Sequence, residues 1–252
     1  MNAIFITGTA GSGKSLLTSR LIEMYKDNKA YPISLNLDPG AVSLPYEPDV
    51  DVRELIDLES LMKEYGLGPN GSLIIATDMI STRLEELQDQ VEKLNPDYVI
   101  IDSPGQIELF VFRTSGPYFV SNFQAENKVN IFTFDSILST SPINFVVISL
   151  ISTSVRLRLG ISQIDVMTKR DLVIDKLHDI LSWSSSKTTI EQSLSKEKDT
   201  QYSVLAQELL RGISKCNMFF NPVLISNLTM AGMTNLSASL SRILAQGEEV
   251  LD

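Results

Sequence analysis

The stretch GTAGSGKS, residues 8–15, follows the apolar run AIFIT, residues 3–7, and decides the fold of this chain. It fits the pattern G-x-x-x-x-G-K-[ST], in which glycines let successive backbone N–H groups surround the phosphates of a nucleotide. Lys14 is placed to reach the β- and γ-phosphate oxygens, and the Ser15 hydroxyl to complete the coordination shell of Mg²⁺. The predicted nucleotide-binding residues of this loop are Gly8, Gly11, Ser12, Gly13, Lys14 and Ser15.

The residues on either side of the loop agree with this interpretation. Residues 3–7 are typical of a short buried strand, and apolar residues recur from Leu16 to Met24 with the period of a helix. The alternative, a chance glycine-rich turn, is disfavoured because strand, loop, lysine–serine pair and helix occur in the required order.

The composition limits the class of protein. A chain of 252 residues with 43% hydrophobic residues can bury a full core, and its formal net charge of −10 argues against a general nucleic-acid binder. The single cysteine, Cys216, cannot form an internal disulfide, which favours a reducing compartment and a cytoplasmic protein. We expect no membrane span, because the most apolar stretch, residues 143–152, is too short and is typical of a buried helix.

Strand-like runs alternate with helical segments along the chain. This order predicts an α/β fold with a mainly parallel sheet covered by helices on both faces, which resembles the three-layer fold of P-loop NTPases. Ligands bind such sheets at the carboxyl ends of the strands, where four polar loops of this chain fall. A serine-rich patch at residues 182–189 is predicted to be a surface loop. The predicted strands are residues 3–7, 32–37, 97–102, 129–134, 162–167 and 219–225.

The loop NLDPG, residues 36–40, places Asp38 at the end of a predicted strand. Its carboxylate is suited to holding a Mg²⁺-bound water or to orienting an attacking water. The alternative is a plain turn started by the Asp-Pro pair, and this motif alone does not decide between the two.

The segment YVIIDSPGQIE, residues 98–108, has the form of a Walker B element, an apolar strand that ends in an aspartate. Asp102 is predicted to bind in the Mg²⁺ shell, while the Pro-Gly pair lets a backbone N–H approach a γ-phosphate. Gln106 and Glu108 are then candidates for positioning a water for in-line attack. In the alternative interpretation, DSPG is an ordinary turn and Glu108 is a solvated residue.

The tetrapeptide TKRD, residues 168–171, resembles the N-K-x-D element of GTP-binding proteins. A carboxylate at Asp171 accepts from the two donors on one edge of guanine, a pattern that adenine lacks, and the stem of Lys169 covers the base. Thr168 departs from the asparagine of the pattern, which puts the support of the loop backbone in doubt. The alternative is a helix N-terminus with Asp171 as a first-turn acid. A further loop, ISNLT at residues 225–229, is a weak candidate for offering amides to the guanine O6.

The stretch GLGPNGS contains Gly68, Pro69 and Asn70, which by themselves indicate only a turn between two helices. Together with GTAGSGKS, NLDP, DSPGQIE and TKRD in this order, the tripeptide resembles that of the GPN-loop GTPases. The resemblance covers nearly the whole chain, residues 1–252, as a single domain. It includes a helical insertion between DSPGQ and TKRD, at about residues 108–160.

The resemblance implies an activity and an assembly. It implies a homodimer that hydrolyses GTP to GDP and phosphate with Mg²⁺, in which Asn70 enters the nucleotide site of the partner subunit and acts there. Gly68 and Pro69 of the same loop would enter that nucleotide site together with Asn70. It also implies a role as a molecular switch or assembly factor, with a client such as RNA polymerase or another large complex. The implied catalytic residues are Lys14, Asn70, Asp102, Gln106 and Glu108, and the implied metal-binding residues are Ser15, Asp38 and Asp102.

The chain departs from the family pattern at three positions, none of which removes a group that this mechanism needs. Gly40 stands where alanine is common after Asp-Pro, Ser103 where threonine is common, and Thr168 where asparagine is common. No arginine finger is implied, and the three arginines in suitable segments are expected to be solvated or salt-bridged. These are Arg53, Arg83 and Arg113.

The aromatic residues of the insertion have two interpretations. They form either a groove for a client peptide or, as we favour, part of the core. The residues are Phe110, Phe112, Tyr118, Phe119 and Phe123.

Three other classes of protein are considered. A dimeric metal-transfer or partitioning ATPase would carry a second lysine early in the loop, where this chain has Thr9. A nucleotide kinase would need an arginine-rich lid, and no such cluster is visible in the sequence. A non-catalytic, GTP-dependent scaffold could dispense with Gln106 and Glu108, so their presence favours turnover.

Overall fold

The computed structural model describes residues 1–197, 200–215 and 220–244, so the expectation for Cys216 lies outside the described residues. Seven parallel strands form one sheet in the order β3-β2-β4-β1-β5-β6-β7. The predicted parallel α/β fold is thereby confirmed. The strands are β1 (Asn2–Gly8), β2 (Pro32–Asn36), β3 (Val50–Asp51), β4 (Tyr98–Asp102), β5 (Asn127–Asp135), β6 (Ser162–Thr168) and β7 (Val223–Leu224).

The central strand β1 lies between β4 and β5, with Ile6 opposite Asp102 on one side and Gly8 opposite Thr133 on the other. Because every strand runs in the same direction, the loops that follow β1, β2, β4, β5 and β6 meet at one edge of the sheet. The loops that contain GTAGSGKS, NLDPG, DSPGQ and TKRD are thus brought together there, whereas the GPN tripeptide opens helix α3.

Helices cover both faces of the sheet and bury two apolar clusters. On one face, α1 and α11 pack residues such as Leu17 and Leu236 against Ile4 and Ile131 of the sheet. On the other face, the remaining cluster includes Phe5, buried against residues of several helices. The helices are α1 (Lys14–Asp27), α2 (Leu58–Tyr65), α3 (Pro69–Met79), α4 (Leu84–Leu94), α5 (Ile107–Phe110), α6 (Ser115–Asn122), α7 (Pro142–Leu159), α8 (Leu177–Ser185), α9 (Lys187–Ser195), α10 (Thr200–Lys215) and α11 (Met233–Leu244).

The segment between the DSPGQ and TKRD loops contains α5, α6 and α7, with the inner strand β5 between α6 and α7. By length and composition alone, α7 is long and apolar enough to cross a membrane. Its residues Phe145, Val146 and Val155 are buried in the core cluster, which is the arrangement of a core helix in a globular protein.

Two local predictions are wrong or incomplete. Residues 182–189 do not form a loop, because they are the end of α8 and the start of α9, and Trp183 is buried there. Within the predicted strand at 219–225, the described residues 220–225 form only β7, and β3 was not predicted at all. Strands of two residues give too short an apolar pattern to be recognised.

Candidate functional site

The phosphate-binding loop requires glycine at three positions. Gly11 has a φ of 71°, and Gly13, which precedes α1, has a φ of 82°. Gly8 has a φ of 155°, and a Cβ atom at this position would lie 2.0 Å from the carbonyl oxygen of Thr133. The loop therefore holds a conformation that other residue types rarely adopt, with its backbone N–H groups at the N-terminus of α1.

Two threonines from neighbouring strands hold the loop in place. The Ser12 hydroxyl is hydrogen-bonded to the Thr133 hydroxyl at 2.8 Å, and the Thr168 hydroxyl donates to the Ser12 carbonyl at 2.7 Å. Thr168 thus joins the TKRD loop, residues 168–171, to the phosphate-binding loop. Although Thr168 replaces the asparagine of the family pattern, it forms this hydrogen bond to the phosphate-binding loop.

The ammonium group of Lys14 is buried and uses three backbone carbonyl oxygens as acceptors. They belong to Gly8 at 3.3 Å, Thr9 at 3.0 Å and Gly105 at 2.9 Å. Burial lowers the pKa of Lys14, and the nearby carboxylates of Asp102 and Asp38 act in the opposite direction. A phosphate group would give this ammonium stronger, charged acceptors than the neutral carbonyls.

Asp102 lies at the end of β4 and is 1% exposed. Its Oδ2 accepts a hydrogen bond of 3.0 Å from the Tyr46 hydroxyl, while its buried Oδ1 has no hydrogen-bond partner. Burial raises the pKa of Asp102 to about 6, although the Ser15 and Tyr46 hydroxyls and Lys14 favour the charged form. A buried carboxylate oxygen without a partner is suited to a cation.

The residues present fit Mg²⁺. The described residues contain no cluster of three or more acidic, histidine or cysteine side chains. A Mg²⁺ ion bound with a nucleotide needs no such cluster, because one or two carboxylates, waters and phosphate oxygens complete its shell. Asp102 and the Ser15 hydroxyl near it would provide the protein part of such a shell.

The Asp38 side chain joins its own loop, NLDPG, to the DSPG turn. Its Oδ2 accepts from the backbone N–H of Gly105 at 3.1 Å, and its Oδ1 accepts from the N–H of Gly40 at 2.9 Å. A Cβ atom at Gly40 would lie 2.9 Å from Cδ1 of Leu73 in α3. Leu73 thus occupies the space that the alanine common in the family would need.

Asn70, Gln106 and Glu108 are exposed, and among the described residues their side chains form no hydrogen bond or ion pair. Asn70 is the second residue of α3, after the N-cap residue Gly68 and the first helical residue, Pro69. Within one chain the structure does not join these three side chains to Lys14 or Asp102.

The TKRD loop follows the body of β6, which ends at Thr168. Lys169 adopts a φ of 57°, and its ammonium lies 2.6 Å from Oδ2 of Asp135. The N–H of Arg170 donates to the carbonyl of Ile225 at 3.1 Å, which brings the loop ISNLT beside it. The side chain of Asp171 is half-buried and forms no hydrogen bond or ion pair with the part of the chain that the structure describes.

Sequence reasoning missed two residues at this edge, Tyr46 and Asn227. The Asn227 amide donates to the carbonyl of Gly13 at 3.3 Å, and its buried Oδ1 lacks a partner. Tyr46 lies in a loop with no recognised motif, and Asn227 lies in the ISNLT loop, whose sequence does not single out this side chain, so only the three-dimensional arrangement reveals them.

The three arginines considered in the sequence are salt-bridged, as expected. Arg53 pairs with Asp51 and also donates to the carbonyl of Ala41, which braces the loop that contains Asp38. Arg83 lies 3.6 Å from a carboxylate oxygen of Glu86. Arg113 pairs with Asp78 of α3.

The aromatic residues of the insertion divide into two groups. Phe110, Phe119 and Phe123 are buried, which agrees with the core interpretation that we favoured from the sequence. Phe112 and Tyr118 are about half exposed and line an open cleft of about 710 Å³.

Known proteins resemble this chain over most of its length. Residues 6–246 match the model of a family described as "Conserved hypothetical ATP binding protein". The GPN-loop GTPase PAB0955 of Pyrococcus abyssi is 34% identical over 179 residues, which cover 70% of each protein. The GPN-loop GTPase QQT2 of Arabidopsis thaliana is 28% identical over 251 residues, 98% of this chain. The chain spans only 64% of the length of that Arabidopsis protein.

The fold has a solved counterpart. The crystal structure of PAB0955, described as a GTPase in apo form from Pyrococcus abyssi, matches with a TM-score of 0.85 and 27% identity. The match covers 97% of this chain and 98% of the archaeal one.

Proposed function

The chain belongs to the GPN-loop GTPase family, and on that premise we propose that it hydrolyses GTP to GDP and phosphate as a Mg²⁺-dependent homodimer. The observation that carries the proposal is that the Gly105 backbone joins Lys14 to Asp38, while the Asp102 carboxylate lies close enough to Lys14 to favour its charged form. These groups come from three separate loops at the carboxyl edge of one sheet. The ammonium of Lys14 suits the phosphates of a nucleoside triphosphate, and the two carboxylates suit the Mg²⁺ that would accompany them.

Positioning and electrostatics account for the catalysis proposed here. The transition state of phosphoryl transfer spreads negative charge over the γ-phosphoryl oxygens. Lys14 and the N–H groups at the start of α1 stabilise that charge from fixed positions, inside a partly water-excluded site. Gln106 and Glu108, at the start of α5, orient the attacking water.

Mg²⁺ would be held by Asp102 and Ser15, with Asp38 in its outer shell. Once bound, it would neutralise charge on the β- and γ-phosphate oxygens. The unpartnered Oδ1 of Asp102 supports this assignment.

Guanine is the proposed base, although the matching family model is described as ATP-binding. The carboxylate of Asp171 has no partner among the described residues and is half-buried beside the ISNLT loop. An acceptor-only group in this place suits the two N–H donors of guanine and does not suit adenine.

The dimer is proposed because Asn70 has no bond to Lys14 or Asp102 of its own chain. Asn70 is exposed and forms no hydrogen bond at the N-terminus of α3, a helix packed beside the Asp38 loop through Leu73. An Asn70 that crosses to the partner's site would place an amide donor at the γ-phosphate. We further propose a cytoplasmic protein that switches with its nucleotide state and acts on a protein client such as RNA polymerase or another large complex.

The direct test is phosphate release from GTP and from ATP, with Mg²⁺ and with EDTA. We expect Mg²⁺-dependent turnover of GTP that exceeds turnover of ATP by at least about tenfold. Preferred hydrolysis of ATP would contradict the proposal. Tight GTP binding without turnover would instead support the GTP-dependent scaffold.

A further inference from the structure

Tyr46 contacts the carboxylate that the proposed function assigns to Mg²⁺. Its hydroxyl lies 3.0 Å from Oδ2 of Asp102, 56 positions along the chain. An ionised carboxylate only accepts hydrogen bonds, so the phenol is the donor. This bond occupies one oxygen of Asp102 and leaves Oδ1 without a partner.

The loop that carries Tyr46 is fixed on one side to strand β2. The Ser34 hydroxyl is hydrogen-bonded to the Asp49 carboxylate at 2.9 Å, and Oδ2 of Asp49 also accepts from the backbone N–H of Ser34 at 2.8 Å. The N–H of Asp49 in turn donates to the Ser34 hydroxyl at 3.1 Å. Ser34 is fully buried and Asp49 is exposed, so this connection runs from the core to the surface loop.

The same loop is restrained on its other side and within itself. The Ser19 hydroxyl of α1 donates to the carbonyl of Pro45 at 3.4 Å, a weak contact. Pro45 and Pro48 flank Tyr46 closely and limit the backbone conformations of the loop. The Tyr46 ring packs against the apolar cluster formed by α1 and α11 with the sheet. A tyrosine held in this way has little freedom to leave Asp102.

We infer that Tyr46 is a positioning residue: its hydroxyl fixes the rotation of the Asp102 carboxylate so that Oδ1 is presented to the nucleotide-bound divalent cation. The inference rests on the proposed function, because it assumes that Asp102 binds the cation. Groups that orient a metal ligand commonly change metal affinity by about 10- to 100-fold when they are removed. Tyr46 therefore sets the affinity for the cation without touching the nucleotide.

The variant Tyr46→Phe removes one oxygen atom and keeps the ring. Tyr25→Phe is the matched control, because Tyr25 stacks on Tyr98 with ring centroids 4.1 Å apart and has no contact with Asp102. Mn²⁺ replaces Mg²⁺ as the probe, since its binding to the GDP complex is measured by electron paramagnetic resonance without any turnover. The affinity for GDP is measured separately in EDTA.

We expect Tyr46→Phe to weaken Mn²⁺ binding by about tenfold or more, with the GDP affinity in EDTA unchanged within about twofold. The Mg²⁺ concentration for half-maximal hydrolysis should rise, while kcat at saturating Mg²⁺ stays close to that of the wild type. Tyr25→Phe should alter none of these. If Tyr46→Phe binds Mn²⁺ as tightly as the wild type, the inference is wrong.

Two further results separate the possible failures. If Tyr46→Phe does not fold, Ser34→Ala tests the same idea, because it keeps Tyr46 and removes the two hydroxyl bonds to Asp49, so that of these three bonds only the backbone one still ties the loop to β2. Ser34→Ala should weaken Mn²⁺ binding by about threefold, and unchanged binding would overturn the inference. If the wild type itself binds no Mn²⁺ with GDP or with a GTP analogue, the proposed Mg²⁺-dependent function fails as well.

Discussion

The ammonium of Lys14 and the carbonyl oxygen of Gly105 lie 2.9 Å apart, joined by a hydrogen bond between the phosphate-binding loop and the DSPG turn. The neighbouring N–H of Gly105 donates to Asp38 at 3.1 Å. One glycine thus has its two backbone groups held by a cation and by an anion. Phosphate oxygens that attract Lys14 would compete for the bond to the carbonyl and leave the bond to Asp38 in place.

Replacing Lys14 by alanine should abolish tight binding of GTP. The variant removes the buried ammonium group of the phosphate-binding loop. Loss of a single group that stabilises transition-state charge costs about 10²- to 10³-fold in kcat. Binding of a fluorescent GTP analogue and phosphate release measure the two effects. Lys26→Ala, an exposed lysine of the same helix, is the control and should behave as the wild type. Unchanged GTP binding by Lys14→Ala would contradict the assignment.

Replacing Thr168 by valine should weaken the hydrogen-bonded connection between the TKRD loop and the phosphate-binding loop. The change keeps the shape but removes the bond to the Ser12 carbonyl, at a cost of about 1–2 kcal/mol of unfolding free energy. We expect GTP affinity to fall by about fivefold or more, as measured by titration calorimetry. Thr153→Val, which removes a hydroxyl bonded within helix α7, should leave that affinity unchanged. An equal loss in both variants would point to general destabilisation.

The buried carboxylate of Asp102 should lower the stability of the metal-free protein at neutral pH. Its pKa rises from 3.8 to about 6 on folding, so between these values the folded state binds more protons than the unfolded state. The contribution of Asp102 to stability therefore falls as the pH rises from about 4 to 6. Asp102→Asn removes this penalty, which is about 2–3 kcal/mol at pH 7.

Denaturant unfolding at several pH values checks this prediction. Asp102→Asn should be more stable than the wild type at pH 7 and about equally stable at pH 4, while losing Mg²⁺-dependent hydrolysis. Asp175→Asn, a change at an exposed carboxylate, should show no such pH-dependent difference. A variant less stable than the wild type at pH 7 would show that Asp102 is not an unfavourably buried charge.

Replacing Asp171 by asparagine should change the preferred base. The amide offers a donor where the carboxylate offered only acceptors, so guanine loses a partner while the carbonyl of xanthine gains one. We expect the affinity for GTP to fall by about tenfold or more and that for xanthosine triphosphate to rise. Competition against a fluorescent nucleotide measures both. Equal losses for the two nucleotides would mean that Asp171 does not read the base.

The sequence predicts the parts of this molecule that depend on local pattern. The glycines and Lys14 of the first loop, and the strand that ends at Asp102, have fixed spacings with a physical reason, and the parallel sheet follows from the order of the elements. Tyr46 and Asn227 were missed because their roles depend on contacts across 56 and 214 positions of the chain. The serine-rich patch was misjudged because burial of Trp183 outweighs the loop preference of serine.

The central claim, a site completed by Asn70 of a second chain, is tested most directly by mixing two inactive variants. Asn70→Ala keeps Lys14 but lacks the asparagine, and Lys14→Ala keeps the asparagine but has no functional site of its own. Each variant alone should hydrolyse GTP at least about tenfold more slowly than the wild type. A mixture, with subunit exchange verified by native mass spectrometry, should regain up to about a quarter of wild-type turnover, because one site in each mixed dimer has both groups. If exchange occurs and the mixture stays as inactive as its components, Asn70 does not act across the dimer.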